Sequence, residues 1–115
     1  MSLGALAVSE ITRLGTLNSV GTTLEVDTFV APVSHTVQVV VTGSPTACTL
    51  HLEGSLDDLA VWPRAWADLS GDVSITGSPT IFHVINRPVR YIRVNLTTLT
   101  GGTNPAVTIK YLGVQ

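Results

Sequence analysis

Apolar and polar residues alternate along most of this chain, and turn residues interrupt the alternation at short intervals. A period of two is typical of β-strands that bury one face. No segment of ten residues or more has the 3.6-residue period of a helix. The pattern therefore predicts an all-β fold of seven or eight strands, with the clearest candidates at 24–30, 36–42, 46–53, 73–76, 81–85, 89–96 and 107–112.

The alternation also predicts which side chains are buried. In segment 36–42 one face consists of valines, and in segment 46–53 the inward positions are apolar while Thr49, His51 and Glu53 point outward. In segment 89–96, the predicted inward face is Arg90, Ile92, Val94 and Leu96, and the opposite face is Val89, Tyr91, Arg93 and Asn95. Strands of this kind bury their apolar faces by stacking two sheets, which predicts a single antiparallel β-sandwich of jelly-roll type.

Turn chemistry separates the predicted strands. The pentapeptide Thr-Gly-Ser-Pro-Thr occurs at 42–46 and again at 76–80, and Gly and Pro both favour turns. The loop 101–105, with the sequence Gly-Gly-Thr-Asn-Pro, is typical of a hairpin. We expect this loop to join segments 89–96 and 107–112 as antiparallel neighbours.

The first 22 residues differ from the rest in their residue pattern, because glycines are scattered among them and apolar and polar residues alternate only weakly. They form either an arm that adds to a neighbouring molecule or the first strand of the sandwich, and residues 23–115 form the β-sandwich domain. For an arm, the candidate partner-binding residues are Leu3, Leu6 and Val8. This terminus has no basic leader and no long apolar core, so we expect no secretory signal, and no apolar run is long enough to span a bilayer.

The chain carries few charges for its size. Only 12% of its residues are charged, 44% are hydrophobic and the mean hydropathy is +0.41. Such a surface indicates burial against partners, although abundant Thr, Ser and Gly can also solvate a surface without charge. The net charge is −2, and alternation sends Arg90 to the face opposite Arg93, so we expect no basic patch and no nucleic-acid binding.

Residues that carry chemistry are sparse. Cys48 has no partner for a disulfide and is predicted to be buried.

The histidines and acidic residues do not form a metal site. His51 and Glu53 share a strand face, but two ligands are too few to bind a metal ion, and His35 and His83 lie on other strands. The acidic residues Asp57, Asp58, Asp68 and Asp72 lack the spacing of a calcium loop. No nucleophile has a base and an acid beside it, so we expect no enzyme activity, no metal and no cofactor.

Two tryptophans, Trp62 and Trp66, flank the short segment 63–65. Together with Tyr91 they form a candidate sugar-binding set, because aromatic rings can stack on sugar rings. The alternative interpretation is that these rings pack at the end of the sandwich.

Four segments of the second half of the chain resemble a known family. They are Glu-Gly-Ser-Leu-Asp-Asp at 53–58 followed by Trp62, Arg-Tyr-Ile-Arg-Val-Asn-Leu-Thr at 90–97, the loop 101–105 and the predicted strand 107–112. In this order they resemble discoidin-like, small β-sandwich structural proteins of tailed bacteriophages, including capsid decoration and head-fibre types. The chain departs from the usual turn by having Asp58 where Gly is commoner and by an extra Trp66, which suggests a differently shaped loop.

The resemblance implies a virion protein on the outer capsid surface, made in the host cytoplasm. As a decoration, or cement, protein it would bind the major capsid protein or another virion protein, bridge capsomers and form a homo-oligomer, with a trimer favoured. The alternatives are a carbohydrate-binding module and a structural module of a tail or fibre.

Overall fold

The computed structural model describes residues 11–29, 31–57 and 62–114. These residues form β-strands, turns and loops, and contain no helix, hence none that could cross a membrane. The strands are β1 Thr12–Leu17, β2 Gly21–Thr22, β3 Val26–Asp27, β4 Ser34–Thr42, β5 Ala47–Ser55, β6 Ala67–Asp68, β7 Val73–Ser74, β8 Thr80–Val84, β9 Tyr91–Thr100 and β10 Ala106–Val114.

The strands form two antiparallel sheets. Sheet I has the order β1-β10-β4-β8. In sheet II the two long strands β9 and β5 pair in the centre, β2 and β3 lie along the free edge of β9, and β6 and β7 lie along the free edge of β5. The long strands therefore alternate between the two sheets along the chain, which is the arrangement of a jelly roll. The prediction of an all-β antiparallel sandwich is confirmed.

The core lies between the two sheets and contains the residues that alternation placed inward. Sheet II contributes Cys48, Leu50 and Leu52 from β5 and Ile92, Val94 and Leu96 from β9, and sheet I contributes residues from β1, β4, β8 and β10. Burying an aliphatic side chain of this size contributes about 1.5–3 kcal/mol relative to exposure. This continuous apolar layer is therefore what holds the two sheets together.

The loop 101–105 was wrongly predicted to be a hairpin. It carries the chain from β9 in sheet II to β10 in sheet I, because both edges of β9 are already occupied by β5 and by β2 and β3. It packs against the loop 43–46, which connects β4 to β5 in the same way. The Thr103 N–H donates to the Gly43 carbonyl at 2.8 Å, and we call these two loops the closed end.

Two further predictions need correction. Among the described residues of the predicted strand 24–30, only β3 is a strand, although the Thr28 N–H also donates to the Arg90 carbonyl at 2.8 Å. Phe29 and Ala31 have left-handed backbones with φ of 64° and 46°, which divert the chain after this point. Arg90 was predicted to share the inward face of Ile92, but β9 begins one residue later and the Arg90 side chain instead reaches Asp27. Within segment 1–22, residues 11–22 contain β1 and β2.

The two Thr-Gly-Ser-Pro-Thr copies adopt different backbones. In the copy at 42–46, Gly43 and Ser44 have positive φ values of 86° and 51°. In the copy at 76–80, the Ser78–Pro79 peptide bond is cis, and the Ser78 hydroxyl accepts a hydrogen bond from the Val41 N–H at 2.9 Å. The same five residues therefore serve two distinct turns, each selected by its surroundings.

Candidate functional site

The described residues of loops 28–33, 56–66 and 85–90 meet at the end of the sandwich opposite the closed end, and we call this region the tip. Backbone hydrogen bonds join these loops to each other and to the sheets, for example from the Arg87 N–H to the Val33 carbonyl at 3.1 Å. Large apolar side chains are exposed here, namely Phe29, Val33, Leu56, Trp62 and Ile85. Exposed apolar side chains gathered at one place are typical of a binding surface.

Aromatic rings and guanidinium groups alternate across the tip in the order Phe29, Arg90, Tyr91, Arg64, Trp62, which we call the ladder. The Arg64 guanidinium carbon lies 4.1 Å from the centre of the Tyr91 ring and 5.6 Å from that of Trp62. The Arg90 guanidinium carbon lies 5.4 Å from the Tyr91 ring and 5.9 Å from the Phe29 ring. All four distances fall within the range of cation–π attraction, and the shortest has the strongest effect.

Two acidic residues near β3 hold the guanidinium groups of the ladder. Arg64, whose side chain is only 4% exposed, forms an ion pair with Glu25 and donates through Nε to the Asp57 carbonyl at 3.3 Å. Arg90 donates through two nitrogens to both carboxylate oxygens of Asp27, each at 2.9 Å. The hydrogen bonds from Arg90 hold the pKa of Asp27 below its usual value despite an opposing effect of burial. The interior of the ladder is therefore fixed by charge pairing.

The outer members of the ladder, in contrast, are open to solvent. Phe29 is 77% exposed and Trp62 is 75% exposed. Phe29 has φ of 64°, a conformation that bulky L-residues rarely adopt, and the Asp27 carboxylate accepts its N–H at 2.8 Å. A backbone of this kind costs about 1–3 kcal/mol and is found mainly at functional sites. The chain thus presents an apolar ring to solvent through a strained conformation.

The three residues of the predicted sugar-binding set do not form one platform. Trp62 lies at the tip with an exposed ring. Tyr91 is only 2% exposed beneath the Arg64 guanidinium, and its hydroxyl has no hydrogen-bond partner among the described residues. Tyr91 therefore leaves the candidate set, because a buried ring offers no face to a ligand. Trp66 lies apart, with the Arg93 guanidinium carbon 4.3 Å from its ring centre.

The other sequence candidates fall in different places. Leu3, Leu6 and Val8, the predicted partner-binding residues, lie outside the residues that the structure describes. Cys48 is buried in the core, as predicted, and burial raises the pKa of its thiol, which keeps it protonated and unreactive.

A second group of polar side chains lies on the outer face of sheet II, and we call it the outer-face network: His51, Glu53, Arg93 and Asn95. Arg93 Nε donates to Glu53 Oε1 at 2.7 Å, and Glu53 Oε2 accepts from His51 Nε2 at 2.7 Å and from Asn95 Nδ2 at 3.1 Å. Burial alone would raise the pKa of Glu53, but these hydrogen bonds outweigh it and the pKa is lowered. The Glu53 carboxylate is therefore charged and held in one position.

The other nitrogen of His51 faces the turn between β6 and β7. Nδ1 lies 3.3 Å from Asp72 Oδ1, and Asp68 lies close by. Burial lowers the pKa of His51, but the bonds to Glu53 and Asp72 and the charge of Asp68 outweigh it, so the pKa stands above its usual value. No pattern in the sequence predicts this convergence of one histidine and two aspartates, because the aspartates follow His51 by 17 and 21 residues and lie on other segments.

A third polar group is buried beneath the tip. His35 Nε2 lies 2.7 Å from the Arg87 carbonyl, which can only accept, so this nitrogen carries the proton. His35 Nδ1 then accepts from the Tyr111 hydroxyl at 2.6 Å. Burial lowers the pKa of His35, although the bond to Arg87 acts in the opposite direction. Both ring nitrogens are satisfied in the neutral form, so His35 has a structural role between β4, β10 and loop 85–90.

Comparisons with known proteins identify related folds. No protein-family model and no curated protein sequence matches the chain. Its structure is similar to that of the SPBc2 prophage-derived protein YomS, with a TM-score of 0.63 and 14% sequence identity, covering 92% of each chain. It is also similar to the tripod from the baseplate of bacteriophage Tuc2009, with a TM-score of 0.50 and 11% identity, covering 91% of this chain and 88% of that one.

A third similar structure belongs to carbohydrate-binding modules of the β-sandwich superfamily. The TM-score is 0.50 and the identity 11%, with 94% of this chain matched to 52% of that one. This chain thus spans about half the length of that protein. At such identities the likeness establishes the fold, which is a β-sandwich used by phage proteins and by carbohydrate-binding modules.

Proposed function

We propose that this chain is a structural subunit of a tailed-phage particle and that its tip binds another protein of the particle. The observation that carries the proposal is the tip itself, where Phe29 and Trp62 expose their rings at the two ends of a ladder whose interior is fixed by Glu25 and Asp27. Aromatic residues beside arginine are enriched at the centres of protein interfaces. Such a surface is suited to a protein partner.

The two phage proteins with a similar fold support this role, since each is matched over most of its length. The baseplate protein favours a position in the tail. The alternative position is the outer capsid surface, where the resemblance described above places the chain as a decoration protein. A surface poor in charge is compatible with burial against partners in the tail or on the capsid. In either position the chain is proposed to form a homo-oligomer, with a trimer favoured.

The test is to find the chain in the particle. Phage heads and tails are separated by density, and the chain is detected in each fraction by mass spectrometry and by immunogold electron microscopy. Label on tails supports the position proposed first, and label on heads supports decoration. Absence from both fractions contradicts the proposal that the chain is a virion protein.

The role of the tip is tested with matched variants. We expect Trp62→Ala and Phe29→Ala to lose at least about tenfold in binding to isolated tails or expanded capsids, which is the size of a central interface residue. Ile81→Ala is the control, because Ile81 is an exposed apolar residue on sheet I, away from the tip. Equal loss in the Ile81 and tip variants contradicts a contact at the tip.

Sugar binding by Trp62 is a second candidate function. It is supported by the exposed ring beside Arg64 and by the β-sandwich fold shared with carbohydrate-binding modules. A glycan array with the purified chain tests it directly. Binding that is lost in Trp62→Ala but kept in Trp66→Ala supports a sugar site at the tip, and the absence of any glycan signal removes this candidate.

A further inference from the structure

Three metal-ligating side chains converge at one edge of sheet II. His51 projects from β5, Asp68 ends β6, and Asp72 lies in the turn before β7. One ligand atom from each residue can be chosen so that all three atoms lie within 4.8 Å of one another. Two ligand atoms that bind one zinc ion at about 2.0–2.2 Å lie at most about 4.4 Å apart. Small rotations of the exposed Asp68 and Asp72 side chains would therefore bring all three atoms onto one ion.

Both ring nitrogens of His51 face carboxylate oxygens, which only accept hydrogen bonds. His51 Nε2 donates to Glu53, so a neutral His51 has its proton on Nε2 and a lone pair on Nδ1. That lone pair lies 3.3 Å from the Asp72 carboxylate, which also only accepts. Two acceptors at this distance repel each other unless a positive charge lies between or beside them. Either a second proton on His51 or a metal ion satisfies the group.

Two features favour a metal ion over the proton alone. A metal-binding histidine usually donates its other N–H to a carboxylate, and Glu53 fills this role while Arg93 and Asn95 hold it in place. In addition, Asp68 supplies a second carboxylate oxygen within 4.8 Å of a His51 ring nitrogen, although a single added proton needs only one acceptor. Asp68 Oδ1 accepts from the Ser70 and Gly71 N–H groups at 3.1 and 2.8 Å, which orients its carboxylate.

We propose that His51 Nδ1, Asp68 and Asp72 bind a divalent transition-metal ion of the Zn²⁺ class, with water completing the coordination. One imidazole nitrogen with two carboxylates suits such an ion better than Ca²⁺, which prefers oxygen ligands alone. The ion would join the turn between β6 and β7 to the central strand β5. Its role would be to reinforce a sheet edge at which β6 and β7 each pair with β5 over two residues. This site is independent of the proposed role of the tip.

The experiment titrates the purified chain with ZnCl₂ and, separately, with CaCl₂ in a calorimeter near neutral pH. We expect one Zn²⁺ per chain, much weaker binding of Ca²⁺, and slower amide exchange in residues 68–74 when Zn²⁺ is bound. No measurable Zn²⁺ binding at millimolar concentration overturns the proposal, because the proton then fills the site alone. Tighter binding of Ca²⁺ than of Zn²⁺ also overturns it, since the histidine would not be a ligand.

Matched variants locate the bound ion. Asp72→Asn and Asp68→Asn should each weaken Zn²⁺ binding by about tenfold or more, a loss at least as large as that from removing a supporting group in known metal sites. Both amides keep an oxygen that accepts hydrogen bonds, so the turn is preserved. Asp57→Asn is the control for charge, since Asp57 accepts from the Ala65 N–H away from the site. His83→Gln is the control for zinc on an exposed histidine, and a loss in His83→Gln equal to that in Asp72→Asn overturns the assignment.

Discussion

The two ends of the sandwich are built on opposite principles. At the closed end, loops 43–46 and 101–105 touch through backbone, and a Cβ on Gly43 would lie 2.6 Å from the Thr103 carbonyl oxygen. At the tip, the loops meet through long charged and aromatic side chains, and the large apolar ones remain exposed. The two loops of the closed end thus approach each other through their backbones, whereas the loops of the tip approach each other through side chains.

This difference separates stability from recognition within one small domain. The loops that cross between the sheets at the closed end use Gly and Asn in left-handed conformations, which lets their backbones pack closely. The tip instead holds Arg64 and Arg90 by ion pairs and supports exposed rings on them. Binding residues are often found on loops held by a rigid scaffold, and the tip has that character.

The largest change in the free energy of unfolding is expected from a substitution that disrupts the close packing of the closed end. Gly102→Ala places a Cβ 2.9 Å from the Pro45 nitrogen and closer still to the Gly43 carbonyl oxygen. We expect the free energy of unfolding to fall by about 3–5 kcal/mol, measured by urea denaturation. Gly71→Ala is the matched control, because Gly71 has φ of 73°, close to the 76° of Gly102, but open space around its Cβ position. It should lose only about 1–2 kcal/mol, and equal losses would contradict the packing argument.

A smaller effect should appear beneath the tip on acidification. Because the pKa of buried His35 is lowered, the unfolded chain takes up a proton near pH 6.5 while the folded chain does not. The contribution of His35 is therefore complete above pH 6.5 and is lost as the pH falls from there toward the lowered folded value, by about 1.4 kcal/mol for each unit of lowering.

Urea denaturation at a series of pH values from 8 to 5 measures this effect. His35→Gln is the comparison, since Gln keeps a donor and an acceptor but does not titrate in this range, and His51 is present in both proteins. We expect a shallower loss of stability below pH 6.5 in the variant. Parallel pH profiles for the two proteins would show that His35 does not set the acid limit.

The smallest effect concerns the strained ring at the tip. Phe29→Gly removes a side chain that is mostly exposed and relieves a φ of 64°, so the free energy of unfolding should rise by about 0.5–1 kcal/mol. Leu24→Gly, an equally exposed position without a positive φ, should instead lower it by about 0.5–1 kcal/mol. If Phe29→Gly destabilises the chain as much as Leu24→Gly does, the Phe29 backbone is not strained.

Local patterns in the sequence were sufficient to predict the core but not the connections. Alternation correctly placed Leu50, Leu52, Ile92 and Val94 inward, because side-chain direction in a strand depends only on position along that strand. Which strand lies beside which depends on pairings between distant segments. The loop 101–105 has the composition of a hairpin, yet it crosses between sheets because β5 occupies the edge of β9 that a hairpin partner would need.

The candidate sites were harder to predict for the same reason. Arg64 and Glu25 are 39 residues apart, and His51 and Asp72 are 21 residues apart, so no spacing in the sequence associates them. Tyr91 was predicted to share a face with Arg93, opposite the apolar face of the strand, and it is nevertheless buried because the loop carrying Arg64 folds over it. A loop that covers a strand face leaves no periodic signal. The exposed position of Trp62 likewise follows from this loop and not from its own neighbours.

The order of strands in sheet I also bears on how the chain is made. Strand β10, which is translated last among the described strands, lies between β1 and β4, which are translated early. Until residue 114 has left the ribosome, β1 and β4 each present an unpaired edge, and unpaired edges attract strands of other molecules. Efficient production of this protein should therefore depend on keeping nascent chains apart, for example with chaperones that cover open edges.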